Sequence, residues 1–224
     1  DHSDLRTLRL LGKKVIVQFV GSDVRVDALF RADCIKHGLH YVDYGLPKDE
    51  TDYADKLNYV RAAEQYADLV ISWADHGQLA AMPYAVEPFF FMDLAAYTPD
   101  FAQRKTPVVC HAPSRRAFKG TAEILRRCEP VLVEGVPHAD ALKRYAEADI
   151  IIGELHGQGG GMLAREAMAL GKVVLTACDP NYPTGQDYGP MVHITPRTLA
   201  ATLDWISEDW PRRQRLAFEG RKYV

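Results

Sequence analysis

Residues 149–174 read DIIIGELHGQGGGMLAREAMALGKVV, and this stretch decides the fold that the sequence predicts. The apolar run 150–152 has the length of a buried strand. The helix formers of 162–170 end at Gly171, a residue suited to close a helix. A second apolar run, 173–175, completes a strand–loop–helix–strand unit. Repeated units of this kind build parallel α/β sheets.

The loop between the first strand and the helix includes four closely spaced glycines near the helix: Gly157, Gly159, Gly160 and Gly161. Glycine lets a ligand approach the backbone closely, and the unpaired N–H groups of a helix start favour an anion. Glu166 follows about one turn into the helix, a position suited to the hydroxyls of a sugar or ribose. Glycine turns before helices also serve packing alone, so both interpretations stay open at this point.

The rest of the chain alternates between predicted strands and helices. The predicted strands are 15–20, 68–72, 82–86, 107–111, 131–133 and 192–195. The predicted helices are 1–11, 52–66, 73–80, 121–128, 138–148, 196–207 and 211–219. Thr121 is the predicted N-cap of the helix 121–128. Residues 26–50 lack a clear period and are predicted to be loops. The pattern indicates an α/β protein with parallel sheets and right-handed crossovers.

The composition excludes several classes of protein. The chain has 224 residues, of which 47% are hydrophobic and 25% charged, and its net charge is −3. A nearly neutral chain argues against binding to nucleic acid as a whole. The four cysteines lack metal-binding spacing, no apolar run reaches about 18 residues, and no signal peptide is visible. The length allows one large domain or two modest ones.

Three cations lie in the loop that follows the predicted strand 107–111. Arg115, Arg116 and Lys119 precede a predicted helix, an arrangement that suits a diphosphate because Arg presents a planar fork and Lys a point charge. A solvated basic turn is the alternative. This loop and the glycine loop follow strands of one predicted sheet, so both open on the same edge.

A second polar turn, from Gly21 to Arg25, follows the predicted strand 15–20. Asp23 and Arg25 face a ligand there or form a local ion pair, and the pattern leaves both alternatives open. Several other chemistries lack their motifs: the sequence has no GxSxG elbow, no P-loop ending, no GxGxxG and no cluster of metal ligands. The pattern therefore favours a cleft that anchors phosphate and reads hydroxyls.

Four segments together resemble the retaining glycosyltransferases of the GT-B type, family 4. Residues 111–121 are similar to the loop that grips the donor phosphates in that family, and 135–149 to the segment after it. Residues 158–174 resemble the family's paired-glutamate motif and its continuation. Residues 12–25 are similar to the strand that carries His-Gly-Ser-Asp. The resemblance extends over nearly all of the chain.

The resemblance implies an α/β fold of the GT-B type with two Rossmann-like domains and parallel sheets. Residues 1–88 would form the C-terminal part of the acceptor-side domain, 89–103 an interdomain linker and 104–224 the donor-binding domain. Family members have further strands before the position of Asp1 and a final helix beyond Val224. We therefore expect a chain truncated at both ends, with an incomplete N-terminal domain.

The resemblance also implies roles for individual residues. Arg115 or Arg116, with Lys119, would hold the donor diphosphate, and Gln158 stands at the family's first glutamate. The implied donor-binding residues are Gly135, Gly159, Gly160, Gly161, Met162, Leu163 and Glu166, with Glu166 on the ribose hydroxyls and Gly135 near the base, beside Glu134. The acceptor-side candidates are Gly21, Asp23 and Arg25. No metal ion and no cofactor are expected, since the nucleotide-sugar is a co-substrate.

The function that follows is transfer of a sugar, with retention, from a nucleotide-diphospho-sugar to a glycan, lipid-linked or small-molecule acceptor. The expected location is cytoplasmic, with peripheral contact at the inner membrane face left open. Two residues depart from the family: Gln158 replaces a glutamate, and Val20 replaces a histidine. The alternatives are a non-catalytic relative or partner subunit that binds a nucleotide-sugar, and a sugar-nucleotide 2-epimerase.

Overall fold

The computed structural model describes residues 3–39, 41, 43, 50–73, 76–86, 92–157, 159–180 and 187–224. The chain divides into two compact units, Asp1–Pro88 with Asn181–Asp187 and Phe89–Pro180 with Tyr188–Val224. Each unit is built on its own sheet, and every described strand pair is parallel. The predicted α/β class with parallel sheets is therefore confirmed.

The first unit packs helices against a three-stranded sheet of order β1-β2-β3. Its strands are β1 (Ile16–Gln18), β2 (Leu69–Ser72) and β3 (Ala85–Val86), and its helices are α1 (Ser3–Leu10), α2 (Asp27–Lys36) and α3 (Glu50–Tyr66). One face of the sheet is buried, because Val15, Val17 and Phe19 pack with Val60 and Ala63 of α3.

Two predictions for the first unit are wrong. Residues 26–50 were predicted as loops but contain α2, whose apolar pattern is short because it buries little beyond Phe30 and Cys34. The nearly continuous apolar residues of 15–20 predict a buried parallel strand, yet Ile16 and Val20 are 64% and 70% exposed. The predicted helix 73–80 lies partly outside the described residues.

The second unit holds a five-stranded sheet of order β5-β4-β6-β7-β8. Its strands are β4 (Val109–His111), β5 (Val131–Leu132), β6 (Ile150–Ile152), β7 (Val173–Thr176) and β8 (Val192–His193). Its helices are α4 (Arg116–Lys119), α5 (Thr121–Leu125), α6 (His138–Ala146), α7 (Gly161–Ala169), α8 (Leu199–Glu208) and α9 (Trp210–Tyr223), with a 3₁₀ turn at Leu94–Ala96. Tyr97 and Phe101, within the predicted linker, pack on this unit's apolar clusters.

The central strand β6 fits its position because all three of its isoleucines are fully buried. Ile151 pairs with Cys110 of β4 on one side and with Val174 of β7 on the other. Helices cover both faces of the sheet, as continuous apolar strands require. The predicted strand–loop–helix–strand unit at 149–174 is confirmed, with Gly171 in a left-handed conformation after α7.

The order in which the chain adds strands to the second sheet reverses between β4 and β6, although the two strands are parallel. From β4 the chain moves outward to β5, then returns past β4 to β6 and continues to β7. At such a reversal the chain leaves two adjacent strands toward opposite sides of the sheet, and ligands of open α/β sheets bind at the carboxyl ends of those strands. The loops after β4 and β6 are the cationic loop and the glycine loop of the sequence.

The start of α5 differs from its prediction. Thr121 was predicted to cap this helix, but Gly120 precedes it in a left-handed conformation and Thr121 is its first residue. The Thr121 hydroxyl instead contacts the ring of His111. In the portion of the chain that the structure describes, no helix combines the length and apolar character needed to cross a bilayer.

Candidate functional site

The loops after β4 and β6 contact each other at the carboxyl edge of the second sheet. The N–H of Leu155 donates to the carbonyl of Lys119 with an N···O distance of 3.3 Å. The Lys119 ammonium donates to the Glu154 carboxylate, and the two side chains are 15% and 6% exposed. The cationic loop and the glycine loop are thus joined by a largely buried ion pair at the reversal of strand order.

The contact between the two loops requires a residue without a side chain at position 157. A Cβ added at residue 157 would collide with the Glu154 carboxylate and lie 2.8 Å from the Phe118 ring. The glycine loop therefore closes directly over the ion pair. Glu154 was not singled out from the sequence, although it lies two residues beyond a strand of the same sheet edge as the predicted cations.

Arg116 forms a second, more exposed ion pair with Glu134, which follows β5. The Arg116 Nε donates to Glu134 Oε1 at 2.8 Å, and a terminal guanidinium nitrogen donates to the other oxygen. This hydrogen bond lowers the pKa of Glu134 and raises that of Arg116. Arg115, one residue earlier, is exposed. Sequence reasoning placed Glu134 near a base and missed its pairing.

His111 fixes the floor of the site. Its ring is fully buried, with Nδ1 at 2.9 Å from the Ile152 carbonyl and Nε2 at 2.9 Å from the Thr121 hydroxyl. Burial lowers the pKa of His111, so the neutral ring donates from Nδ1 to the carbonyl and accepts from Thr121 at Nε2. These two hydrogen bonds connect β4 to β6 and to α5, next to the start of the two loops.

The three consecutive glycines of the loop have different structural reasons. Gly159, Gly160 and Gly161 all have left-handed φ values, of 95°, 73° and 61°. A Cβ at Gly160 would lie 2.8 Å from that of Ala164, whereas one at Gly161 would meet no described atom within 4 Å. Close packing therefore requires Gly160, while Gly161 leaves open space at the start of α7.

The Gly159 amide corrects one expectation. Its N–H donates to the Ala177 carbonyl at 2.7 Å, so this N–H is engaged within the chain and is not available to a nucleotide-sugar. The N–H groups of Gly161, Met162 and Leu163 occupy the first positions of α7, which an α-helix leaves without internal partners. The anion-binding capacity of the loop therefore lies at the helix start.

Glu166 presents a buried carboxylate from α7. Its Oε1 accepts a hydrogen bond from His138 Nε2 at 2.6 Å, and its side chain is 8% exposed. Tyr97 hydrogen-bonds the same carboxylate; burial raises the pKa of Tyr97, and the charge and hydrogen bond of Glu166 raise it further. Burial also raises the pKa of Tyr145 to about 12, with the Glu166 charge contributing. The contacts of His138 and Tyr97 with Glu166 were not predicted from the sequence, because no local pattern indicates them.

Gln158 and Gly135 are the two other residues predicted to contact the nucleotide-sugar. Gln158 lies outside the described residues. Gly135 follows Glu134 in the loop after β5 with φ 62°, and a Cβ there would meet no described atom within 4 Å. Among the residues with described positions, no group of three or more His, Cys, Asp or Glu side chains is placed to hold a metal ion.

The acceptor-side candidates lie together in the first unit. The amides of Val24 and Arg25 donate to the Gly21 carbonyl, and the Asp23 carboxylate accepts from the Val20 N–H at 3.2 Å. The Arg25 guanidinium lies over the Phe30 ring, 4.9 Å from its centre. An open groove of about 900 Å³ between α1 and α3 includes Asp23, with Arg6, Asp52, Asp55, Lys56 and Tyr59 among its lining residues.

The chain has two parallel-sheet α/β units, the second with a reversal of strand order, and the predicted GT-B type of fold is confirmed by likeness to solved structures. One is HepE from Anabaena in complex with UDP-glucose, with a TM-score of 0.59 and 13% identity over 98% of this chain and 69% of that chain. The same protein in complex with UDP and glucose gives 0.59 and 14% over the same shares.

Sucrose-phosphate synthase from Thermosynechococcus elongatus is also similar, with a TM-score of 0.63 and 14% identity over 94% of this chain and 63% of that chain. No protein-family model and no curated protein sequence matches the chain. At these identities the likeness establishes the fold.

Proposed function

We propose that the chain binds a nucleotide-diphospho-sugar where the loops after β4 and β6 meet, and that it transfers the sugar as a retaining GT-B glycosyltransferase of the family 4 type. The observation that carries this proposal is the joining of the cationic and glycine loops at the reversal of strand order, through Lys119 and Glu154. The HepE complexes with UDP-glucose and with UDP and glucose support the same ligand class.

The diphosphate binds to the cationic loop. Arg115 and Arg116 are exposed and supply forked, charge-assisted hydrogen bonds. Lys119 adds positive charge from beneath while it remains paired with Glu154. The exposed pair between Arg116 and Glu134 opens at little cost because water solvates both groups. These cations offset the negative charge that develops on the leaving nucleotide.

The nucleoside and the sugar lie along the start of α7. Glu166 accepts hydrogen bonds from the ribose hydroxyls, and Gly135 borders the base. The amides of Gly161, Met162 and Leu163 meet the phosphate or the transferred sugar at the positive end of the helix. Gly161 leaves open space beside these amides, and Gln158 hydrogen-bonds the sugar hydroxyls without carrying charge.

The acceptor binds through the first unit. Gly21, Asp23 and Arg25 remain the proposed acceptor-side residues, and the groove that includes Asp23 offers carboxylates and Tyr59 for a polyhydroxylated molecule. A glycan, a lipid-linked sugar or a small molecule satisfies these groups. The proposal needs no metal ion, since arginine and lysine carry the electrophilic role.

A non-catalytic nucleotide-sugar-binding protein is the second candidate. Val20 offers no hydrogen-bonding side chain where the resembling family has a histidine, and its side chain is exposed. Carboxylates also neutralise Arg116 and Lys119. Ligand binding without turnover against a panel of sugar donors and acceptors would favour this second candidate over transfer.

The test is isothermal titration of the chain with UDP, GDP and ADP and with their glucose conjugates, with and without Mg²⁺. We expect one nucleotide series to bind with a Kd between about 1 μM and 1 mM. The double variant Arg115→Ala/Arg116→Ala should lose that binding, while Arg126→Ala, an exposed arginine of the same unit, serves as the matched control. Absence of binding by every nucleotide, with and without Mg²⁺, would remove the proposal.

A further inference from the structure

The contact between His138 and Glu166 bears on how the ribose is recognised, and this inference rests on the proposed function. The Glu166 carboxylate is almost entirely buried, while the His138 side chain is 65% exposed at the first residue of α6. The imidazole therefore lies between the carboxylate and the solvent. A ligand hydroxyl that takes over this hydrogen bond to Glu166 Oε1 must displace the imidazole.

A buried carboxylate requires hydrogen-bond donors, because an unpaired charge in a poorly solvated place is costly. Tyr97 supplies one donor and His138 the other. Tyr97 packs against the apolar cluster of the second unit, whereas His138 has water on most of its surface. An incoming hydroxyl therefore displaces His138 with less rearrangement than it would need to displace Tyr97.

We propose that His138 occupies, in the protein without nucleotide, the place on Glu166 that a ribose hydroxyl takes in the complex. The imidazole N–H and the ribose O–H are interchangeable donors to Oε1, so the two compete. His138 thereby keeps the carboxylate paired when no nucleotide is bound and makes nucleotide binding depend on the ribose hydroxyls.

The experiment compares a nucleoside diphosphate with its 2′,3′-dideoxy counterpart by isothermal titration against the full chain. The nucleotide is whichever of UDP, GDP and ADP the unsubstituted chain binds. His138→Ala and His138→Ser remove the competing donor, so we expect the ribonucleotide to bind about three- to tenfold more tightly and the dideoxynucleotide to change by less than about twofold. His138→Gln keeps an amide donor, so its gain should be smaller than that of His138→Ala.

Lys143→Ala is the matched control on the same helix, because Lys143 is exposed and pairs with Asp140. It should leave the ratio of the two affinities unchanged. Equal changes for both ligands in the His138 variants would show a structural role and overturn the inference. A selective loss of ribonucleotide affinity would show that His138 assists the ribose, and this would also overturn it.

The same titrations separate this inference from the proposed function. If the unsubstituted chain binds no nucleotide, the proposed function fails and the inference fails with it. If the nucleotide binds but the ratio of affinities does not respond to either His138→Ala or His138→Ser, the competition alone is refuted.

Discussion

Lys119 and Glu154 form an ion pair that joins two loops 35 residues apart in the chain. The pair lies at the point where the strand order of the second sheet reverses. Its burial and its cover by Gly157 make it a fixed joint between the cationic loop and the glycine loop. The relative placement of the proposed diphosphate and sugar contacts therefore depends on this pair.

Removing either charged partner of the Lys119–Glu154 ion pair should destabilise the second unit. Lys119→Met leaves the Glu154 carboxylate buried without its partner, and Glu154→Gln leaves the ammonium likewise. We expect each to lower the free energy of unfolding by about 3 kcal/mol. The double variant should lose much less than the sum of the two. Urea unfolding of the four proteins measures this coupling, and additive effects below about 0.5 kcal/mol each would contradict a buried joint.

The exposed ion pair between Arg116 and Glu134 should contribute little to stability. Glu134→Gln releases Arg116, whose guanidinium is well solvated, so the urea midpoint should barely change. Nucleoside diphosphate affinity should rise by about two- to fivefold, because the cation no longer shares its charge with a carboxylate. Titration of Glu134→Gln beside Glu123→Gln, which removes the partner of Arg126, checks this expectation. A fall in affinity would mean that Glu134 supports the ligand.

Gly160 and Gly161 offer a matched test of why the loop is rich in glycine. Both have left-handed φ values, so Ala at either position should cost about 1 kcal/mol of backbone strain. A Cβ at Gly160 would additionally crowd Ala164 and Thr176. Gly160→Ala should therefore be the more destabilising in urea unfolding. Equal losses would show that packing around Gly160 relaxes freely.

The sequence predicts the second unit well where its signals are local. The isoleucines of β6, the helix formers of α7 and Gly171 follow one another without interruption, so pattern alone places them. The partners of the site residues carry no such signal. Glu134 lies 18 residues from Arg116, and His138 lies 28 residues from Glu166, so their contacts exist only once the strand order is known.

The first unit was predicted less well because its apolar pattern is weaker. β1 begins with Ile16 and Val17, and both side chains suit a buried strand. Val17 is buried, yet Ile16 is exposed. Helix α2 buries two residues of a polar segment, too few for a period to emerge. The roles of Gly21, Asp23 and Arg25 stay proposals, since the turn and the Phe30 ring engage these residues.

Two histidines of the second unit, the buried His111 and the half-buried His193, should make its stability sensitive to pH. Burial lowers the pKa of His111 and of His193 below the ordinary value of 6.5. The unfolded chain therefore binds more protons than the folded chain just below that value, so stability should fall as the pH drops from about 7 to about 5. His111→Gln should reduce the slope of stability against pH over this window.

Urea unfolding of both proteins at several pH values measures these slopes, and the comparison cancels contributions from other groups. His193 is shared by both proteins, so a residual slope should remain in the variant. An identical slope in the two proteins would show that His111 is not held neutral in the folded state.

The proposed function depends on one pyrophosphate that contacts both loops, and a crystal structure with the bound nucleotide tests this arrangement most directly. We expect phosphate oxygens within hydrogen-bonding distance of Arg115 or Arg116 and, at the same time, of an amide among Gly161, Met162 and Leu163. A pyrophosphate that contacts just one of these loops, or that binds elsewhere on the chain, would contradict it.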